Sequence, residues 1–230
     1  MGYKMNIIWY GQACFEIEGS DGTIIYTDPY DPDKAGFKPF ASQADIVIKS
    51  SSNDDFHDND HLVPKKANAT VIDALEVSLQ GGSFESHGIT LHAIEAMEHS
   101  EHPSGHPDQN AMYKFSVDGI SIGHMGDMGN DFSDDQLDFF KGIDILLSHA
   151  GGFPVISLDE LKRIVGITKP KLVIPMHFRT LCYKPKNMYF ITECLKYFPE
   201  DMVDFASSST VELQKKDLPE KTRMLVLAYV

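Results

Sequence analysis

The apolar residues of the first half of the chain fall in short runs parted by glycine-bearing polar breaks, a pattern of strands and hairpins rather than helices. Asn6–Tyr10, Cys14–Glu18 and Thr23–Asp28 are such runs. Gly11-Gln12 and Gly19-Ser20-Asp21-Gly22 separate them, and together they predict a β-meander. Asp28-Pro29 opens an excursion to about Ala44 in which Pro29, Pro32 and Pro39 argue against regular structure, and the strand Asp45–Lys49 follows. From Thr70 to Val117 the pattern stays strand-like, with Thr70–Ile72, Ile89–Ile94 and Met112–Val117 the clearest runs. Between the last two, Glu98–Asn110 carries three histidines and two prolines and reads as irregular. Asp118-Gly119 then turns the chain into Ile120–His124.

Beyond Gly126-Asp127-Met128-Gly129 the periodicity changes. Ser133-x-x-Gln136 has the form of a capping box for a helix ending near Gly142, and Ser157-x-x-Glu160 starts another ending near Gly166. Each leads to a buried-type strand, Asp144–Ser148 and Leu172–Met176. Asn187 is placed to cap a third helix to about Phe198, and Val203–Ala206 and Met224–Tyr229 read as closing strands. A β-rich half followed by alternating helices and strands predicts a mixed α/β chain of the α+β type. Its expected form is two sheets packed face to face with helices outside, a four-layer αββα sandwich.

Composition narrows the class. The chain has 230 residues, 42% hydrophobic and 23% charged, which suits one large globular domain over residues 1–230. No run approaches the roughly 18 apolar residues of a membrane span, and the start has no signal-peptide core, so a cytoplasmic protein is expected. Cys14, Cys182 and Cys194 lie far apart, against a thiolate zinc site or a disulfide framework. A net charge of −14 argues against nucleic acid or anionic membrane as partners. A small-molecule substrate is the expected partner, and homo-oligomer formation is left open.

One stretch is unusually rich in donors. Ser50–Asp60 reads Ser-Ser-Ser-Asn-Asp-Asp-Phe-His-Asp-Asn-Asp directly after a strand. It is either a solvated acidic loop with Asn and Asp turn chemistry or a metal-binding loop. His99, Asp127 and His177 also sit at ends of predicted strands, and strand ends on one edge of a sheet can converge. A dinuclear hydrolytic site needs such convergence, with cations about 4 Å apart. Asp127, on a glycine-flanked turn, suits a bridging carboxylate. Glu98, His102 and His106 compete with His99 as donors. His124 is placed to orient that carboxylate by a hydrogen bond, and His149 and Asn110 to line the pocket.

At these positions the chain resembles the metallo-β-lactamase superfamily, in particular its small-hydrolase branch related to ascorbate-6-phosphate lactonase. Gly11-Gln12-Ala13-Cys14-Phe15 is similar to the branch's Gly-His-Ala-Cys-Phe, and Thr27-Asp28-Pro29 to its Thr-Asp-Pro. Ala44-Asp45-Ile46-Val47 resembles the strand before the metal loop, and His99 stands eleven residues before Asn110 as in the third motif. His124-Met125-Gly126-Asp127-Met128-Gly129 resembles His-Leu-Gly-Asp-Leu-Gly, and Pro175-Met176-His177-Phe178-Arg179-Thr180 resembles Pro-Met-His-Tyr-x-Thr. The departure is at the first metal motif. Where the family writes Ser-His-Asp-His-Phe-Asp-His-Asn-Asp, this chain has Ser52-Asn53-Asp54-Asp55-Phe56-His57-Asp58-Asn59-Asp60. A register two residues earlier would put Ser51, Asn53, Asp55 and Phe56 at the ligand positions; the first register keeps a donor at each.

Carried over in that register, the resemblance implies one cation held by Asn53, Asp55, His99 and a bridging Asp127. A second would be held by His57, Asp58, Asp127 and His177. Three carboxylates and fewer imidazoles would harden the site toward Mn, Fe or Mg rather than Zn and make each cation a weaker Lewis acid. The expected cofactor is therefore one or two divalent ions, Mn, Fe or Zn, with a single ion at the second position as one option. The resemblance implies hydrolysis of a small ester, lactone or phosphodiester by a metal-bound hydroxide, with Asp127 and His57 as the candidate catalytic residues and His124, Asn110, His149 and His106 around them. The alternative is a non-catalytic ligand-binding or interaction protein of the same fold whose first motif has decayed.

Overall fold

The computed structural model describes residues 4–52, 55–99, 109–152 and 155–229. In chain order the first strands are β1 (Met5–Gly11), β2 (Cys14–Glu18), β3 (Ile24–Thr27), β4 (Ala44–Lys49) and β5 (Lys65–Asp73), with helix α1 (Pro32–Ala35) between β3 and β4 and α2 (Ala74–Leu79) after β5. There follow β6 (Ser83–Ser86), β7 (Ile89–Met97), β8 (Gln109–Val117), β9 (Ile120–His124), α3 (Asp134–Phe140), β10 (Ile145–His149), α4 (Leu158–Thr168) and β11 (Leu172–Met176). The chain closes with α5 (Ile191–Leu195), β12 (Val203–Phe205), β13 (Thr210–Leu213) and β14 (Arg223–Val226). One sheet has the order β13-β1-β2-β3-β4-β5, the other β12-β14-β11-β10-β9-β8-β7-β6.

The period-two alternation of the strands divides their side chains between two cores. Trp9, Phe15, Ile25, Ile46 and Ile48 of the first sheet share one buried cluster with Tyr113, Phe115, Ile122 and Leu147 of the second, so the sheets lie face to face. Tyr26 and Val47, the intervening residues, turn the other way and pack with Tyr30, Phe37 and Phe40. Every residue of β4 except Lys49 is buried because both faces are covered. On the far side of the second sheet, α3 seats Phe140 against Gly123, where no Cβ would fit, and contacts α4. The result is a four-layer αββα sandwich whose outer layer on the first sheet is thin, made of α1 and the aromatic segment 29–44.

Several elements differ from expectation. The proline-rich excursion holds α1 because Pro32 occupies the first helical turn, where its missing N–H is not needed, and Asp31 caps Asp33 and Lys34. The strand-like stretch after Thr70 is interrupted by α2, which Asp73 caps. The third helix starts at Ile191 rather than at Asn187. No helix among the described residues is long and apolar enough to cross a membrane.

Parallel pairing places the site. β3 runs parallel to β4, and β9, β10 and β11 run parallel to one another. β3 and β4 thus end on one edge of their sheet and β9, β10 and β11 on one edge of theirs, and the approach of His57 to Asp127 sets the two edges side by side, where open α/β sheets characteristically hold ligands.

Candidate metal centre

The donor-rich loop after β4 is clasped to that edge by the segment after β3. Asp28 accepts hydrogen bonds from the Ser50 N–H (2.8 Å) and Oγ (2.7 Å). Pro29 O accepts from Asn59 N, and Asp55 O accepts from Asp31 N, each at 2.9 Å. Asp28 is fully buried beside the Tyr113 hydroxyl (3.3 Å). Burial pushes its carboxyl up to about 7, although His57 and the Ser50 hydrogen bonds oppose the shift.

Thus anchored, the loop delivers His57 to Asp127 and His177. The donor atoms of these three buried residues all lie within 4.8 Å of one another. His57 Nδ1 is 3.3 Å from Asp127 Oδ2, and His177 Nε2 is 3.1 Å from Asp127 Oδ1. The two imidazoles stack with 5.4 Å between centroids. The His177 approach lacks hydrogen-bond alignment, so Asp127 Oδ1 is a buried oxygen with no donor of its own. Burial pushes the Asp127 carboxyl upward, but the charges of His57 and His177 outweigh it and hold it well below the usual carboxylate range. Two imidazoles and one carboxylate, desolvated and convergent, fit a divalent transition-metal cation. They open into a cavity of about 170 Å³ lined also by Gln12, Phe56, His99, Val155, Tyr183 and Asn187.

The turn that presents Asp127 is held from three sides. His124 donates through Nε2–H to Ala13 O (2.8 Å) and accepts the Gly126 N–H at Nδ1 (2.9 Å). His149 Nε2–H donates to Gly126 O (2.7 Å), and Asn110 Oδ1 accepts from Asp127 N (3.3 Å). Burial lowers the His124 pKa to about 3 and that of His149 well below the ordinary imidazole value, so both act as neutral props. His124 therefore orients Asp127 through the backbone, in place of the direct hydrogen bond expected from the sequence. The His149 ring also packs edge-on against His177, 4.7 Å between centroids.

The other expected ligands separate from this cluster. Asp55 is paired with Lys34 and Asp58 with Lys49, each at 2.5 Å, and neither joins the donor group of the described residues. His99 lines the cavity without entering that group. Asn53 and His106 lie outside the described residues. Two participants had no role in the sequence reading. Gln12, at the position where the resembled motif has histidine, lies with Nε2 2.7 Å from His177 Nε2. Asp28 enters the sequence comparison only within Thr27-Asp28-Pro29, where a carboxylate before a proline at a strand end is the signal that marks it.

Comparison with known proteins agrees with this architecture. A model of the Beta-lactamase superfamily domain matches residues 6–177. A UPF0173 metal-dependent hydrolase of Thermoplasma acidophilum is 29% identical over 77% of this chain and 84% of its own length. A Thermotoga maritima crystal structure, a candidate Zn-dependent hydrolase of the metallo-β-lactamase superfamily, is 29% identical and superposes with a TM-score of 0.73, covering 97% of this chain and 98% of that one. Igni18, a metallo hydrolase of Ignicoccus hospitalis, shares the fold with 20% identity and a TM-score of 0.63 over 84% of this chain and 89% of its own. The narrower likeness to ascorbate-6-phosphate lactonase rests on the motif matches alone. With the domain match extending over well more than half of its length, the chain belongs to the beta-lactamase superfamily.

Proposed function

We propose that this protein is a metal-dependent hydrolase of a small ester, lactone or phosphodiester. The observation that carries the reading is the buried convergence of His57, Asp127 and His177 at the carboxyl ends of the strands. These residues would hold one divalent cation, and the ion pairs of Asp55 and Asp58 favour one over two. A donor set of two imidazoles and one carboxylate suits Zn, Fe or Mn. Bound there, the cation would supply Lewis acidity, polarising the substrate's carbonyl or phosphoryl oxygen and acidifying water. The chain's own residues do the positioning: Asp127 lies between the two imidazoles, while His124, His149 and Asn110 fix its turn. Phe56, Val155 and Tyr183 keep the small cavity partly apolar and help exclude water.

The test is metal analysis of protein purified without chelator, followed by assays on nitrophenyl esters, lactones and bis-nitrophenyl phosphate with Mn, Fe or Zn. Below roughly a tenth of an equivalent of any transition metal, with no turnover restored by adding one, the reading fails. The Lys34–Asp55 and Lys49–Asp58 pairs favour a second reading, a non-catalytic binding protein of the same fold. Asp127→Ala separates the two: small-molecule binding that survives this change intact supports the second.

A further inference from the structure

The turn between β1 and β2 brings a carboxamide to the ligand atoms. Gln12 is 1% exposed and has φ of +51°, and His177 opposite it has φ of +52°; both are left-handed conformations uncommon away from glycine. The two backbones are joined, since His177 N–H donates to the Gln12 carbonyl at 2.9 Å, and the Trp9 indole N–H donates to the same oxygen at 3.0 Å. With its backbone so fixed, the Gln12 side chain extends into the cavity that His57, Asp127 and His177 line. Its Nε2 touches His177 Nε2 at 2.7 Å, while its Oε1 is buried with no hydrogen-bond partner.

That arrangement contains a conflict. His177 Nε2 is also the atom 3.1 Å from Asp127 Oδ1, on the side where the three donors meet. An amide N–H directed at that nitrogen and a cation compete for one lone pair. The carboxamide has nearly the same outline with N and O exchanged. Exchanged, it turns a neutral oxygen toward His177 Nε2, leaves that nitrogen's lone pair to a cation, and would give the orphaned oxygen the same cation as its partner. Building on the hydrolase reading above, we infer that Gln12 is a fourth protein donor to the cation, through its carboxamide oxygen. The site then has two nitrogen and two oxygen donors with a single negative charge.

Metal-free wild type, Q12L and Q12A are titrated calorimetrically with Mn(II) and Co(II), and the visible spectrum of the Co(II) forms is recorded; thermal unfolding without metal checks that each variant folds. Q12L should weaken cation affinity by about tenfold or more and change the Co(II) bands, and Q12E should restore affinity to wild type or above. Q12A gives the same comparison should Q12L fail to fold. Equal or tighter binding by Q12L and Q12A with an unchanged Co(II) spectrum overturns the inference, whether Gln12 merely competes with the cation or serves the substrate. That outcome leaves the hydrolase reading standing, whereas wild type that takes up no cation overturns both.

Discussion

Replacing Gly126 by alanine probes whether the turn presenting Asp127 depends on close packing. Gly126 has φ of +64°, and a Cβ there would collide with Ala111 O while lying 2.8 Å from Asn110 Oδ1 and 3.0 Å from Ser50 Cβ. Asn110 and Ala111 belong to β8 and Ser50 opens the loop bearing His57, so none of them can yield without moving the donors. A left-handed backbone costs alanine about 1–2 kcal/mol, and forcing a methyl into packed surroundings adds about 1–3 kcal/mol. G126A should therefore lose on the order of 2–5 kcal/mol, which for a chain of this size lowers Tm by roughly 5–15 °C. Gly142 is the control: its φ is +74° and nothing lies within 4 Å of a Cβ built there, so G142A should show the backbone cost alone. Thermal unfolding of the metal-free proteins measures the difference, and calorimetric titration with Zn or Mn should show about tenfold weaker binding for G126A only. Equal destabilisation of the two variants, or unimpaired cation binding by G126A, would refute the packing argument.

Two acidic residues should give opposite pH signatures. Burial raises the Asp144 carboxyl, but Lys215, Ser121 and Lys171 outweigh it and hold its pKa at about 2. Its stabilisation is present above pH about 4 and lost as pH falls toward 2, so D144N should cost on the order of 1–2 kcal/mol at pH 7, reduced because both lysines are half exposed, and almost nothing at pH 2. A pH-independent difference in urea unfolding would rule this out. Asp28 has the reverse sign: with a folded pKa of about 7 it retains a proton through the window from pH about 4 to 7 that the unfolded chain has released, and stability declines as pH rises across it. D28N, close in shape to the protonated acid, should gain on metal-free wild type by up to about 3 kcal/mol between pH 5 and 8; no gain at pH 8 would count against a buried, proton-holding Asp28.

The elements best read from the sequence are those whose local signal and tertiary role coincide. Ser133 and Gln136 form the capping box their spacing predicted, because both halves of the motif lie within one turn. β10 and β11 were legible as apolar runs because they are buried on both faces. α1 and α2 were not, since Pro32 is both a helix breaker and a favoured first-turn residue, and the few residues after Asp73 are too short for a 3.6-residue period to show. Asn187 looks like a cap in sequence, yet it lines the cavity.

At the site, legibility followed backbone regularity. His177 directly follows β11 and Asp127 stands three residues past β9; these parallel strands flank β10 and end on one edge, and the turn held by His124, His149 and Asn110 carries Asp127 to His177. His57 lies in an irregular loop, where side-chain direction has no period, and motif position could not tell it from Asp55 and Asp58. In the structure the difference lies in their partners: Lys34, 21 residues before Asp55, and Lys49, nine before Asp58, pair with those two carboxylates, while His57 faces Asp127. This reverses an electrostatic inference. Three carboxylates would blunt the Lewis acidity of a bound cation, whereas the proposed set of Asp127, two neutral imidazoles and a neutral Gln12 would leave a divalent ion with one positive charge that its ligands do not balance. In a desolvated cavity such a charge would act at low effective dielectric and, on the proposed hydrolase reading, would favour a substrate that brings or develops one negative charge, as a phosphodiester or the oxyanion of an ester does. On the proposed reading, the altered first motif would thus strengthen the electrophile by leaving two carboxylates outside the site.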